Sequence, residues 1–158
     1  MSVIKLTTEI HAPIERCFDL SRSVELHLAS TGKTKERAIA GVTKGLIAHK
    51  QNVTWRAKHL GIYQNLTVEI SEFAFPNYFK TRMLKGAFAS MEHDHLFENA
   101  GGKTIMKDIF VFRAPSGILG KLVEALFLRN YMRFFLAQRN KVIKQVAESD
   151  QWKKILTK

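Results

Sequence analysis

The hydrophobic period of this chain changes once, at Pro115-Ser-Gly117. From about residue 35 to Arg113, apolar and polar side chains alternate in segments joined by only a few residues. Period two is the mark of strands with one buried face. Spacers this short force neighbouring strands to run antiparallel, because a parallel crossover takes roughly a dozen residues or more. After the break, from Ile118 to Ala147, almost no strong breaker follows Gly120. A continuous helix over that span is about 45 Å long at ~1.5 Å per residue. One face carries Val123, Phe127, Tyr131, Phe135, Val142 and Val146. Leu119, Leu122, Leu126, Leu128, Met132, Phe134 and Leu136 widen the apolar sector until the first half is apolar nearly all round. Such a helix cannot lie on a sheet with its other side in water. The N-terminal helices, a partner subunit or a bound ligand must cover the rest.

Ahead of the sheet segments, Val3 to Ile10 alternates with Ile4, Leu6, Thr8 and Ile10 on one face and predicts a first strand. Pro13 then suits a helix first turn, with Ile14, Cys17 and Phe18 as a short apolar stripe, and a second short helix is predicted over Val24 to Ala29. Four strands are strongly patterned: Asn52 to His59, Ile62 to Ile70, Phe88 to Phe97 and Thr104 to Arg113. Lys35 to Ile39 and Tyr78 to Leu84 are weaker. The order is thus one strand, two short helices, six antiparallel strands and one long helix. With 158 residues and 46% hydrophobic content, this is one domain over residues 1–158 of the α+β class. Only the long helix is large enough to cover the apolar face of the sheet. A curved sheet cannot touch a straight helix everywhere, so a space between them is expected.

The sequence lacks the apolar core of an export signal, and no apolar run approaches the ~20 residues that span a bilayer, so a cytoplasmic location without a transmembrane segment is expected. The one cysteine, Cys17, excludes an internal disulfide and is expected to be a small buried hydrophobe. Net charge is +11, but the basic residues are scattered. Arg129, Arg133 and Arg139 fall at helical spacings that suit a solvated face. No nucleic-acid-binding motif accompanies them, so no specific nucleic-acid partner is expected.

Met91-Glu-His-Asp-His-Leu-Phe97 places His93 and His95 on one strand face and Glu92 and Asp94 on the other. Taking Asn99 to Gly102 as the hairpin loop pairs Phe97 with Thr104, Glu98 with Lys103 and Asp94 with Lys107, which satisfies two opposite-charge pairs. On the inward face the same register predicts His93 opposite Asp108, His95 opposite Met106 and Met91 opposite Phe110. Three readings compete for these groups. A metal site on His93 and His95 needs a specific third ligand. An acid/base pair takes His93 as the base and Asp108 as its orienter. The third makes them mutually satisfied polar groups lining a mostly apolar pocket.

The stretches Glu9-Ile-His-Ala-Pro13, Val53-Thr-Trp-Arg-Ala-Lys-His59, Gly86-Ala-Phe88, His93-Asp-His95-Leu-Phe97, Thr104-Ile-Met-Lys-Asp108 and Ala114-Pro-Ser-Gly117 resemble the SRPBCC superfamily. That superfamily is also called START-like, helix-grip or polyketide-cyclase-like. The similarity runs from residue 3 to about 148, and within the superfamily it points to bacterial single-domain proteins, some labelled cell-division inhibitor or cyclase-like. It implies a curved seven-stranded antiparallel sheet gripping a long C-terminal helix around an internal cavity. Members bind lipids, sterols, polyketides or other apolar molecules, and some catalyse cyclisation or dehydration. The resemblance carries no catalytic set onto this chain. Thr81 stands where relatives often place an acid, two residues before the position of Met83.

The expected function is binding of a small, largely apolar ligand with a polar or anionic end. Trp55, Leu66, Phe79, Met91, Phe97, Met106, Phe110, Val123, Phe127 and Tyr131 are expected to form the apolar wall. His59, Gln64, His93, His95 and Asp108 are expected to orient the polar end, with His27 near the entrance. No metal or cofactor is assigned. A cyclase, dehydratase or hydrolase using His93 with Asp108 is the alternative. A third possibility is an interaction module, in which Leu126, Leu128, Met132 and Leu136 form a homodimer or partner surface and the basic face steers it to an acidic partner or membrane.

Overall fold

A computed structural model describes residues 1–59, 61–115, 122 and 127–156. Seven strands form one antiparallel sheet in the order β1-β7-β6-β5-β4-β3-β2. They are β1 (Ser2–Ile10), β2 (Arg37–Gly41), β3 (Asn52–His59), β4 (Ile62–Ala74), β5 (Tyr78–Lys85), β6 (Ser90–Ala100) and β7 (Lys103–Arg113). Helices α1 (Ile14–Ser21) and α2 (Val24–Ser30) lie between β1 and β2, while α3 (Arg129–Ala147) and α4 (Trp152–Leu156) close the described chain. Because β1 pairs with β7 and β2 lies at the opposite edge, the β1 to β2 connection must cross the whole sheet, and α1 and α2 make that crossing.

Alternation sets which side chains enter the core. Ile4 and Ile10 of β1, Val53 and Trp55 of β3, Val68 and Ile70 of β4, and Phe110 and Phe112 of β7 are buried on the same sheet face. Register shifts between Thr67 and Val68 and between Ile70 and Glu72 bulge β4 against β5, and such bulges bend a strand. α1 buries Ile14, Cys17, Phe18 and Leu20. The Phe18 ring meets Phe73, Phe75 and Phe79 edge-on at centroid distances of 5.1 to 5.3 Å, a favoured aromatic arrangement. Ser23 caps α2 by accepting from the Leu26 amide at 3.2 Å. α3 packs on β1, α1 and α2.

The β6–β7 hairpin corrects the expected register. Ala100 pairs with Lys103, so the loop is the two residues Gly101 and Gly102 rather than four, and Phe97 faces Met106, not Thr104. Both glycines have positive φ, 65° and 88°, which favours a two-residue turn whose twist matches the strands. The slip is two residues, so every side chain keeps its face while the pairs change. His95 stands opposite Asp108, His93 opposite Phe110 and Met91 opposite Phe112. The two ion pairs used to choose the register are replaced. Lys103 binds Glu9 on β1 at 2.7 Å, Lys107 reaches Glu98 at 3.2 Å, and Asp94 takes the Tyr78 hydroxyl at 2.6 Å with Lys80 at 3.5 Å.

The inner stripe of α3 also differs from the sequence-based face. Leu136, Arg139, Asn140, Ile143, Val146 and Ala147 are buried, and Tyr131, Phe135 and Val142 are partly buried. Phe127 is 46% exposed, and Val123 and Leu126 lie outside the described residues. Among the described residues, no helix is long and apolar enough to cross a membrane.

Candidate functional site

A cavity of about 490 Å³ lies between the sheet and α3. Its apolar wall comes from Val53, Trp55 and Ala57 of β3, Leu66 and Val68 of β4, Phe79 of β5, Met91 of β6, Phe110 of β7, and Leu128, Met132, Phe135 and Leu136 at the helix side. This size and lining are typical of pockets for small organic molecules. Of the residues expected to bind ligand, Trp55, His59, Gln64, Leu66, Phe79, Met91, His93, His95, Phe110 and Tyr131 line it. Phe97 and Met106 are buried in the core without lining it, Phe127 is exposed, and Val123 falls outside the described residues. His27 lines the cavity with its ring stacked on Trp55 at 4.0 Å.

The floor is a buried polar cluster. His93 donates from Nε2 to Asp108 Oδ1 at 2.7 Å, and Asn140 Nδ2 donates to Asp108 Oδ2 at 2.7 Å. Arg139 Nη1 lies 3.7 Å from Asp108 Oδ1 and donates to Asn140 Oδ1 at 3.0 Å, while Nη2 donates to the Ser21 carbonyl at 3.1 Å. Arg139 is therefore no part of a solvated face, in contrast to the exposed Arg129 and Arg133; it is 6% exposed. A buried guanidinium requires a counter-charge, and Asp108 supplies it. Asp108 does not line the cavity; it stands behind the histidines and ties β6, β7 and α3 together.

The cluster's protonation follows from these contacts. Burial works against the Asp108 carboxylate, but the His93 and Asn140 hydrogen bonds and the Arg139 charge outweigh it and hold the carboxyl below its ordinary value. Burial lowers His93 below the ordinary imidazole value despite Asp108. It lowers His95 further still, and the Arg139 charge, together with that of His93 whenever His93 is protonated, adds to the effect. At neutral pH the floor is thus an ionised Asp108, a charged Arg139 and two neutral imidazoles. With Nε2–H given to Asp108, the His93 lone pair is on Nδ1. His95 is wedged between Phe79, stacked at 4.1 Å, and the His93 ring at 3.8 Å. Neither of its ring nitrogens has a hydrogen-bond partner among the described residues.

His93, His95 and Asp108 offer three buried ligand atoms within 4.8 Å of one another, a spacing at which a metal ion could be held. Arg139 argues against that use, because its guanidinium already provides the cation for Asp108. The acid/base pair is present as a contact, although Asp108 is shared with Asn140 and Arg139.

A second polar group lies toward the β2–β3 side. His59 Nδ1 and the Tyr131 hydroxyl share a hydrogen bond of 2.6 Å, and burial lowers His59 and raises Tyr131, so both are neutral. His27 Nε2 lies 2.9 Å from Glu36 Oε1. Three members of these clusters, Glu36, Arg139 and Asn140, escape sequence reasoning. For the last two a signal exists: they fall between Leu136 and Ile143 at helical spacing, so polar groups interrupt an apolar stripe. Glu36 sits in the charged run Lys33-Thr-Lys-Glu-Arg37 and carries no such mark.

No protein-family model matches the sequence, and no curated protein matches it. Solved structures do match its fold. A crystal structure of a Thermus thermophilus protein superposes with a TM-score of 0.72 at 18% identity, covering 94% of this chain and 100% of that one. A START superfamily protein from Mycobacterium smegmatis gives 0.70 at 14% identity over 92% and 97%. Ginseng major latex-like protein 151 from Panax ginseng gives 0.68 at 12% identity over 94% and 98%. The seven-stranded antiparallel sheet, the crossing pair of short helices and the C-terminal helix give this chain the START-like helix-grip fold of the SRPBCC type.

Proposed function

We propose that the protein binds one small, largely apolar molecule in the cavity between sheet and α3, oriented by hydrogen bonds to interior polar groups. The observation that carries this reading is a cavity of about 490 Å³ whose wall is mostly aliphatic and aromatic, with two of its imidazoles held in place by other side chains. His93 is held by Asp108, and His59 by Tyr131, so each imidazole has a set orientation before a ligand arrives. Preorganised polar groups in an apolar enclosure select a ligand by its hydrogen-bonding pattern at little ordering cost. The START-like fold of the structural neighbours agrees with a ligand-binding role.

The test is native mass spectrometry of protein purified from its own host, with saturation by the neutral dye N-phenyl-1-naphthylamine as a second measurement. A bound organic mass, or one saturable dye site, is the expected result. Protein that carries nothing and gives no saturable dye fluorescence would overturn the reading.

The 2.7 Å His93–Asp108 contact favours one other reading, a cyclase or dehydratase with His93 as base. Arg139 and Asn140 draw on the same carboxylate and reduce the basicity it lends to His93. The enzymatic reading requires His93→Ala to abolish turnover while dye binding and folding persist.

A further inference from the structure

Among the described residues, four charged side chains line the cavity: Arg22, Glu36, Glu69 and Arg139. Three have a permanently charged partner. Arg22 pairs with Asp19 at 2.8 Å, Glu69 with Arg82 at 3.0 Å and Arg139 with Asp108 at 3.7 Å. Glu36 is different. Its side chain is 6% exposed, and among the described residues its polar neighbour within hydrogen-bond distance is the His27 imidazole at Oε1. Its other oxygen, Oε2, is buried with no hydrogen-bond partner among the described residues. A carboxylate oxygen withdrawn from water without a donor is costly, and a ligand that supplies the donor recovers that cost.

The surroundings of Glu36 define what kind of donor fits. Glu36 directly precedes β2, after Lys35 in a left-handed conformation with φ 51°. His27 joins it to the Trp55 ring, and its negative charge acts on both His59 and Tyr131. The neighbouring cavity wall is therefore aromatic, and aromatic faces attract cations. Strand order separates this group from the Asp108 floor: β3 lies three strands from β6, roughly 14 Å along the sheet at ~4.8 Å per step. The two polar groups are thus distinct sites in one cavity, and Arg139 does not neutralise Glu36.

We propose that Glu36 is the cavity's recognition group for a protonated amine, so that the ligand is an apolar molecule bearing a cationic nitrogen. This rests on the cavity-binding reading above. The ammonium would donate to Glu36 Oε2 beside the Trp55, His59 and Tyr131 rings, with the apolar body running along β3 to β6 toward the histidine floor. The selectivity opposes the protein's net charge of +11, which by itself would favour anions.

Competition against N-phenyl-1-naphthylamine with decylamine, 1-decanol and decanoate, each below its micellar concentration, tests this. The chains match, so the head group alone differs. Decylamine is expected to bind about tenfold tighter than decanol, as for one charge-assisted hydrogen bond, with decanoate weakest. In Glu36→Gln the amine to alcohol ratio should collapse toward one while decanol still displaces the dye, which also shows that the variant is folded with its cavity intact. Equal binding of amine and alcohol by the wild type, or a preference that survives Glu36→Gln, overturns the amine assignment and leaves the cavity reading standing. Failure of all three ligands and of the dye overturns both.

Discussion

His93, not His95, bonds Asp108 at 2.7 Å, although His95 is the residue directly across the ladder from it. The bond is diagonal, and it leaves His95 Nδ1 at 3.6 Å from the same oxygen. One carboxylate therefore serves one histidine, one asparagine and one arginine, each from a different place on β6 or α3. Asp108 is the joint through which helix and sheet are held in polar register around the cavity.

Removing that charge should be costly. Asp108→Asn leaves the buried Arg139 guanidinium without a counter-charge, and breaking a buried pair from one side typically costs about 3–5 kcal/mol. A loss of about 3 kcal/mol or more is expected in urea unfolding followed by far-UV circular dichroism. Adding Arg139→Met to Asp108→Asn should restore part of it. A single variant as stable as the wild type would show that the pairing contributes little.

Acid should weaken the fold well before the carboxylates titrate. His93 and His95 lie below their ordinary value of 6.5 in the fold, so below about that pH the unfolded chain binds protons that the native state refuses. Unfolding free energy then falls with decreasing pH, by up to about 1.4 kcal/mol per pH unit for each histidine. Asp108, also lowered, acts in the same sense further down, its contribution being lost as pH falls through its folded value. Urea midpoints should be flat above about pH 7 and drop between about pH 6.5 and 5. A midpoint that stays level across that window would mean the histidines are charged in the native state.

His95→Phe separates the two imidazoles. His95 keeps two buried ring nitrogens without partners among the described residues, between Phe79 and His93, and a phenyl ring of similar shape removes both. Relief of the unsatisfied atoms predicts a gain of about 1 kcal/mol near neutral pH and a shallower acid slope, by about one proton. A loss of stability near neutral pH would indicate that ordered water, and not bare protein, surrounds those nitrogens.

These predictions rest on features that the sequence discloses unequally. The element order, the antiparallel pairing and the faces of His93, His95 and Asp108 follow from period two, which a slip of two residues leaves unchanged. Charge pairing selects the wrong register because surface ion pairs contribute little and can be re-made with other partners, as Lys103 does with Glu9. The backbone preference of Gly101-Gly102 is the stronger constraint. Arg139 reads as solvated because a charged residue at helical spacing from other arginines resembles an exposed face until its counter-charge, Asp108 on β7, is brought to it by the fold. Glu36 reaches the cavity through tertiary geometry alone, which local pattern does not encode.

Filling the cavity should abolish ligand uptake without harming the fold. Ala57 is 3% exposed, lies on β3 between Trp55 and His59 and borders the cavity, so a larger side chain there has space to enter. Ala57→Phe adds a ring whose volume is a substantial part of a pocket of about 490 Å³. Overpacking a filled core typically costs about 1–3 kcal/mol, whereas a ring entering open space costs much less, so stability distinguishes the two situations. The expected result is a loss of N-phenyl-1-naphthylamine affinity of at least about tenfold, with unfolding free energy within about 1 kcal/mol of the wild type. Dye binding that persists in Ala57→Phe would place the dye on exposed apolar groups such as Phe127 and Phe134 instead of in the cavity.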